Sequence, residues 1–245
     1  MTEQSTPGTV LITGAAYRIG RAIAERFAAN GWNVGVHYRN SRDAAEQIVK
    51  QIESNGGRAA AIRADLCDPI QVSRLIPDCA AKLEAPTCLI NNASEFHDDT
   101  ISSLSNDLWD TQFDANLKAP IFLAQAFVEH LPQDRSGNII NIVDQRVWNI
   151  CPEYFSYTIS KSALWTATKM LAQTLAPRIR VNAIGPGPVL QSVYQTEEEF
   201  NAEWQKTLLK RAPKLDEITD AAIFILQAHA MTGQMITLDS GQHLT

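Results

Sequence analysis

Apolar residues in this chain fall into short unbroken runs, separated by longer stretches in which they recur every three or four positions. The runs at 9–13 (TVLIT), Asn33–Tyr38 (NVGVHY), 58–63, 87–90, 138–143 (NIINIV), 180–184 (RVNAI) and Met235–Leu238 have the length of strands, and most are rich in branched side chains. Between them, Ile23, Phe27 and Ala28 keep helical spacing, as do Leu108, Phe113, Leu117, Ile121 and Leu123 after Asn106. Further helices are predicted over Arg42–Ser54 with Ser41 as a possible cap, over Pro69–Lys82 with an interruption or bend at Pro77, within 139–171, and over 216–228. Strands that alternate with helices need crossover connections. The pattern therefore predicts an α/β fold, a doubly wound parallel sheet of about seven strands covered by helices on both faces. No linker or repeat divides residues 1–245, so one domain is expected, with an inserted segment at about 190–214.

The first strand runs straight into Gly14-Ala15-Ala16-Tyr17-Arg18-Ile19-Gly20 and then into a helix. A glycine turn feeding a helix N-terminus presents unpaired N–H groups and the positive end of the helix dipole, which suits a pyrophosphate. Followed by two more strand–helix alternations, it reads as the opening half of a Rossmann-type dinucleotide fold, whose ligand lies at the carboxyl ends of the strands. Gly14, His37, Asp65, Asn91, Asp144 and Pro186 all fall at such ends. An NAD-selective fold of this kind usually carries an acid after the second strand. Here His37, Tyr38, Arg39, Asn40, Ser41 and Arg42 come before any carboxylate, which first appears at Asp43. Guanidinium and hydroxyl groups there suit a 2′-phosphate, so NADPH is the expected cofactor, with Arg18 and Arg39 as leading partners.

Composition narrows the alternatives. With 45% hydrophobic and 20% charged residues over 245 positions, the chain can bury a large core. Its net charge of -6 is spread along the sequence, so neither nucleic acid nor a membrane surface is an expected partner. The first eight residues, MTEQSTPG, lack the regions of a secretion signal, and a cytoplasmic location is expected. Cys67, Cys79, Cys88 and Cys151 have no metal spacing and read as free buried thiols. His97-Asp98-Asp99 reads as a solvated turn rather than a metal site, and Thr196 with Glu197-Glu198-Glu199 as a helix start with a capping box.

Tyr157 and Lys161 lie four positions apart, so a helix points both side chains the same way. A cation beside a phenol stabilises phenolate, and the pair is expected to bring a donor of pKa about 10 toward the working range. With Thr13-Gly14 and Gly20, Asp65-Leu66, Asn91-Asn92-Ala93, Asn116 and Pro186-Gly187, this pair completes six motifs in order. Together they resemble the short-chain dehydrogenases/reductases across nearly the whole chain. The resemblance implies a homotetrameric or dimeric nicotinamide-dependent oxidoreductase acting on a small molecule. Its cofactor site would comprise Gly14, Arg18, Ile19, Gly20, His37, Tyr38, Arg39, Ser41, Asp65, Leu66, Asn92, Ala93, Ser94, Tyr157, Lys161, Pro186 and Gly187, and its catalytic set Asn116, Asp144, Tyr157 and Lys161. Two departures from the general pattern, Arg18 for a glycine and Asp144 for the usual serine, resemble the pteridine reductases and the similar bacterial dihydromonapterin reductases. That narrower resemblance implies that Arg18, Phe96, Asp144 and Tyr157 meet the substrate, with Phe96 stacking on a pterin. Arg39 and Asn40 are shifted against the usual order of that group, and segment 190–214 aligns with nothing in it.

An ionised aspartate would repel a developing alkoxide, whereas a pterin C=N nitrogen must gain a proton that a carboxyl can supply or relay. The expected function is therefore NADPH-dependent pterin reduction with Tyr157 and Asp144 delivering protons, Lys161 holding the nicotinamide ribose, and Asn116 shaping a helix bend and a water relay. A carbonyl reductase of the same fold is the alternative, and a non-catalytic NADPH-binding sensor a third reading. Trp204 is open between closing over substrate and covering the core.

Overall fold

The structure, a computed structural model, describes residues 7–192 and 194–245. Residues 1–6, most of the stretch read above for a secretion signal, and Val193, within segment 190–214, lie outside the described residues. Seven parallel strands form one sheet in the order β3-β2-β1-β4-β5-β6-β7. They are β1 (Thr9–Ile12), β2 (Asn33–Tyr38), β3 (Ala59–Arg63), β4 (Pro86–Asn91), β5 (Gly137–Ile142), β6 (Ile179–Pro186) and β7 (Met235–Leu238). The chain winds outward from β1 to β3 and returns to β4 on the other side of β1, so a crevice opens between the carboxyl ends of β1 and β4.

Consecutive strand residues serve opposite faces, which is why the strands read as unbroken apolar runs. Val10 and Ile12 join Ile23 and Phe27 of α1 (Arg18–Ala29), Ile48 of α2 (Arg42–Ser54) and Ile225 of α8 (Leu215–Gln227). Leu11 instead joins Leu75 of α3 (Pro69–Lys82) and Leu123 and Phe127 of α5 (Ala119–His130). Each such side chain contributes about 1.5–3 kcal/mol by leaving water. No described helix is long and apolar enough to cross a membrane.

Several boundaries differ from expectation for physical reasons. The helix after Asn106 is three pieces: α4 (Asn106–Phe113), a wide π turn (Asp114–Lys118) and α5. Pro120 has no N–H for the carbonyl of Asn116 four residues back, and the turn before it widens. The expected interruption at Pro77 is absent, because α3 continues over Pro69–Lys82. Ser41 makes no side-chain cap bond. The strand expected over 180–184 is longer, since β6 runs on through Gly185 and Pro186, paired with Thr237 and Leu238. Ala183 and Gly187 donate to the Gln234 and Leu238 carbonyls, so Pro186's missing N–H falls on the opposite side, past the end of β5 at Ile142. Segment 190–214 contains α7 (Glu197–Gln205), opened by the expected Thr196/Glu199 capping box. All four cysteines are free, but only Cys79 and Cys88 are buried, while Cys67 and Cys151 are half-exposed.

Candidate active site

A cavity of about 730 Å³ lies along the carboxyl ends of the strands. At one end the glycine turn is stitched to β4. Thr13 Oγ1 accepts the N–H groups of Asn92 (2.9 Å) and Ala93 (3.0 Å), while Asn92 Nδ2 donates to the carbonyls of Thr13 (2.9 Å) and Gly14 (3.2 Å). Gly14 has φ +63°, and a Cβ there would sit 2.9 Å from Ala93 Cα. A Cβ on Gly20 would run into the Gly14 carbonyl and lie 2.5 Å from Asn92 Nδ2. Only backbone fits at either position. Among the described residues α1 has no side-chain cap, and its first turn, Arg18, Ile19 and Gly20, borders the cavity. That combination is an anion cradle. Arg18 itself has φ +56°, and its two guanidinium arms donate to the carbonyls of Gln191 (2.7 Å) and Leu190 (3.1 Å).

His37 is 2% exposed and supports this turn rather than offering charge. Gly14 N–H donates to its Nδ1 at 3.0 Å, so the proton belongs on Nε2, which faces the Ala64 carbonyl at 3.1 Å. Burial pushes its pKa down to about 4, against smaller upward pulls from the Ala64 bond and the Asp65 charge. Tyr38, Arg39 and Ser41 follow along the rim, with Asp65 and Leu66 beside them. Arg39 Nη1 donates to Glu95 Oε1 at 2.6 Å, and Glu95 Oε2 lies 3.1 Å from His97 Nε2.

The other end holds the proton chemistry. Asp144 ends the strand-to-loop passage after β5, and Tyr157 and Lys161 project from α6 (Phe155–Leu175). Tyr157 Oη donates to Asp144 Oδ2 at 2.8 Å, while Arg146 N–H donates to Oδ1 at 2.8 Å. Lys161 Nζ donates to the Ile142 carbonyl at 2.9 Å and lies 5.8 Å from the Tyr157 ring centre. The expected downward pull of Lys161 on the phenol is overturned. Burial, with the Asp144 carboxylate beside it, pushes Tyr157 well above its ordinary value. Burial also raises Asp144, against opposing bonds and the charges of Arg146 and Lys161, and lowers Lys161 to about 8. The pair thus shares a hydrogen bond in a setting that favours its protonated forms.

Asn116, in the π turn, is fully buried and, among the described residues, does not line the cavity. Its Oδ1 accepts from Ser94 Oγ (3.0 Å) and Glu95 N–H (2.9 Å), and its Nδ2 donates to the Glu95 carbonyl (2.8 Å) and Ser160 Oγ (3.2 Å). Ser160 Oγ donates in turn to the Tyr157 carbonyl at 2.7 Å. The widened turn therefore clamps loop 94–95 to the helix carrying Tyr157. Of the other site residues read from the sequence, all line the cavity, including Ser94, Phe96, Pro186 and Gly187.

Phe96 stands edge-on to Tyr157 (4.7 Å, 80°) and stacks on Tyr154 (4.5 Å, 8°), whose ring carries Arg146 at 4.7 Å. The sequence reading missed Arg146, Tyr154, Gln195, Glu203 and Gln242, which also line the cavity. Positions two after Asp144 and three before Tyr157 were the available signals for the first two, and nothing local marks the rest. Half-buried Trp204 bonds Asn201 Oδ1 at 3.0 Å and, among the described residues, does not line the cavity. Asp99 is buried, taking Ser156 N–H (3.0 Å) and Oγ (2.6 Å) at the start of α6, which corrects its reading as part of a solvated turn.

A family model described as enoyl-(acyl carrier protein) reductase matches residues 14–243. The 3-oxoacyl-(acyl-carrier-protein) reductase FabG of Staphylococcus epidermidis is 30% identical over 241 residues, covering 96% of this chain and 99% of that protein. The crystal structure of FolM alternative dihydrofolate reductase 1 from Brucella canis, complexed with NADP, superposes with a TM-score of 0.94 at 45% identity, covering 97% of this chain and 94% of that one. The Brucella suis FolM alternative dihydrofolate reductase 1 in complex with NADP gives 0.95 at 45% identity, covering 98% and 96%.

Proposed function

This chain belongs to the short-chain dehydrogenase/reductase family, and we propose that within it the protein is an NADPH-dependent reductase of a pterin, acting on a dihydropterin-type C=N bond. The observation that carries the reading is Asp144, standing where the family's general pattern has serine and hydrogen-bonded at 2.8 Å to Tyr157. The FolM likeness, at 45% identity, supports it.

The residues present fit the cofactor. Gly14 and Gly20 leave room that a Cβ would fill, and the uncapped first turn of α1 suits its pyrophosphate. Arg39, released from Glu95, and Ser41 would take the 2′-phosphate, and Lys161 the nicotinamide ribose; Arg18, the other partner expected from the sequence, is turned to the Leu190 and Gln191 carbonyls. When bound, the nicotinamide supplies the hydride. Burial keeps Asp144 toward its protonated form, in which its carboxyl donates to Tyr157 Oη across the same 2.8 Å, so the phenol's own proton is free for the substrate nitrogen and the Asp144 proton replaces it. Phe96 offers its ring to a flat heterocycle. Loop 94–95, clamped by Asn116, fixes where that ring stands.

Carbonyl reduction is the second reading, favoured by the likeness to FabG. One assay separates the two: NADPH oxidation with a panel of dihydropterins, quinonoid pterins, folates and simple ketones. Turnover of ketones but no pterin rejects the first reading, and binding without any turnover rejects both. Asp144→Ser is expected to slow pterin reduction by about 10²–10⁴-fold, the usual worth of general acid help. Light scattering reads the assembly, for which the family resemblance implies a homotetramer or a dimer.

A further inference from the structure

The wall of the cavity facing the substrate end is assembled from segments far apart in sequence, and one carboxylate ties them together. Glu203, on α7, accepts through both oxygens: Gln195 Nε2 donates to Oε2 at 2.8 Å and Gln242 Nε2 to Oε1 at 3.2 Å. All three side chains line the cavity. From Gln195 the links continue toward the cofactor turn. Its Oε1 accepts Ser192 N–H at 3.1 Å, its carbonyl accepts Gln191 Nε2 at 2.6 Å, and Arg18 grips the carbonyls of Leu190 and Gln191. From Gln242 they run the other way, its carbonyl accepting Asn149 Nδ2 at 3.3 Å on the loop that follows Asp144. The chain of bonds thus passes around the cavity from the glycine turn to the proton-delivery loop, with Glu203 at its centre.

Apolar packing holds α7 only in part, because none of its nine residues is fully buried and its two large apolar side chains, Phe200 and Trp204, are half-buried. Beyond it, Leu209 N–H donates to the Ser240 carbonyl, which brings the same two segments together but does not reach the cavity wall. A carboxylate is the group this junction requires, since it receives two amide N–H groups and must have an acceptor for each. Glutamine at 203 would set its own NH₂ against one of them, and alanine would release both.

We propose that Glu203 is a positioning residue for substrate, joining α7 to the C-terminal turn so that the substrate end of the cavity is formed before substrate arrives. Its readout in turnover rests on the pterin-reductase reading. Its link to the C-terminal turn does not.

The test compares wild type, E203A, E203Q, Q242A and the double variant E203A/Q242A. Steady-state kinetics with NADPH and dihydrobiopterin, NADPH binding by fluorescence, and amide exchange over residues 194–206 and 239–245 are measured on each. Losing a charge-assisted bond predicts a substrate KM about ten-fold higher in E203A. Its kcat should stay within about two-fold and its NADPH affinity unchanged, because neither Tyr157 nor the glycine turn is touched. E203Q should fall between E203A and wild type; Q242A, which leaves the Gln195 bond in place, should raise KM by no more than E203A does, and the double variant should be no worse than E203A. Exchange should quicken in both segments whichever residue is replaced. An unchanged substrate KM, a loss shared equally with kcat or NADPH affinity, or additive effects in the double variant would each overturn the proposal. If wild type reduces no pterin, the function proposed above fails, and the exchange pattern alone decides the junction: quickening confined to the substituted side overturns it.

Discussion

Taking the protein from pH 7 to pH 5 places a specific demand on His37. Its buried ring accepts Gly14 N–H through Nδ1 and donates to Ala64 through Nε2, an arrangement open only to neutral imidazole. Burial holds its pKa at about 4, whereas in the unfolded chain it titrates near 6.5. Between these values the unfolded chain carries a proton that the folded one refuses, so stability rises with pH across the window and is lost as pH falls through it. The gap corresponds to about 3 kcal/mol, of which about 2 kcal/mol disappears between pH 7 and pH 5. Urea denaturation at pH 7, 6 and 5, run on wild type and His37→Asn, isolates this contribution. Asparagine can keep an acceptor near Nδ1 but does not titrate. The variant should start less stable and lose about 2 kcal/mol less than wild type on acidification. The folded ring stays neutral throughout this window, so NADPH affinity in wild type should hold from pH 7 to pH 5 and fall only as pH approaches 4, where a protonated Nδ1 can no longer accept Gly14 N–H. Parallel loss of stability in the two proteins would refute the reasoning.

Other perturbations test the remaining supports of the site. Asp99→Ala leaves Ser156 N–H buried without its acceptor at the start of α6, and chemical denaturation should show a loss of about 2–4 kcal/mol, less for Asp99→Asn; a change below about 1 kcal/mol would mean the carboxylate is dispensable. Gly20→Ala drives a methyl group against the Gly14 carbonyl and Asn92, so NADPH binding by titration should weaken by more than about 100-fold, while full affinity would show that the turn can yield. Arg39→Ser should cut the preference for NADPH over NADH by about ten-fold, measured as a ratio of kcat/KM values; an unchanged ratio would show that its pairing with Glu95 leaves Arg39 no part in selectivity.

Much of the architecture was legible along the chain, because burial on two faces leaves a one-dimensional trace. Val10, Leu11 and Ile12 serve alternate core layers and so form an unbroken apolar run, while α1 shows one apolar stripe at helical spacing. The glycine turn, the absence of an acid before Asp43, the Thr196/Glu199 capping box and the Tyr157–Lys161 spacing are likewise local, and each appears where its spacing put it. What depends on distant segments was not legible. Lys161 was expected to lower the phenol's pKa, but its ammonium is spent on the Ile142 carbonyl while burial and Asp144 raise it. Asn116 stands behind the cavity wall because Pro120 widens the turn beneath it. Arg146 meets Tyr154 and Gln195 meets Glu203 across irregular loops that have no period to read, and Gln242 reaches Glu203 only through long-range folding. Sequence by itself determined which stretches are strands, helices and phosphate turns, since those follow from propensity and periodicity. The tertiary structure alone decided which charges face one another and how dry they are, because proton affinity is set by everything that packs around a group.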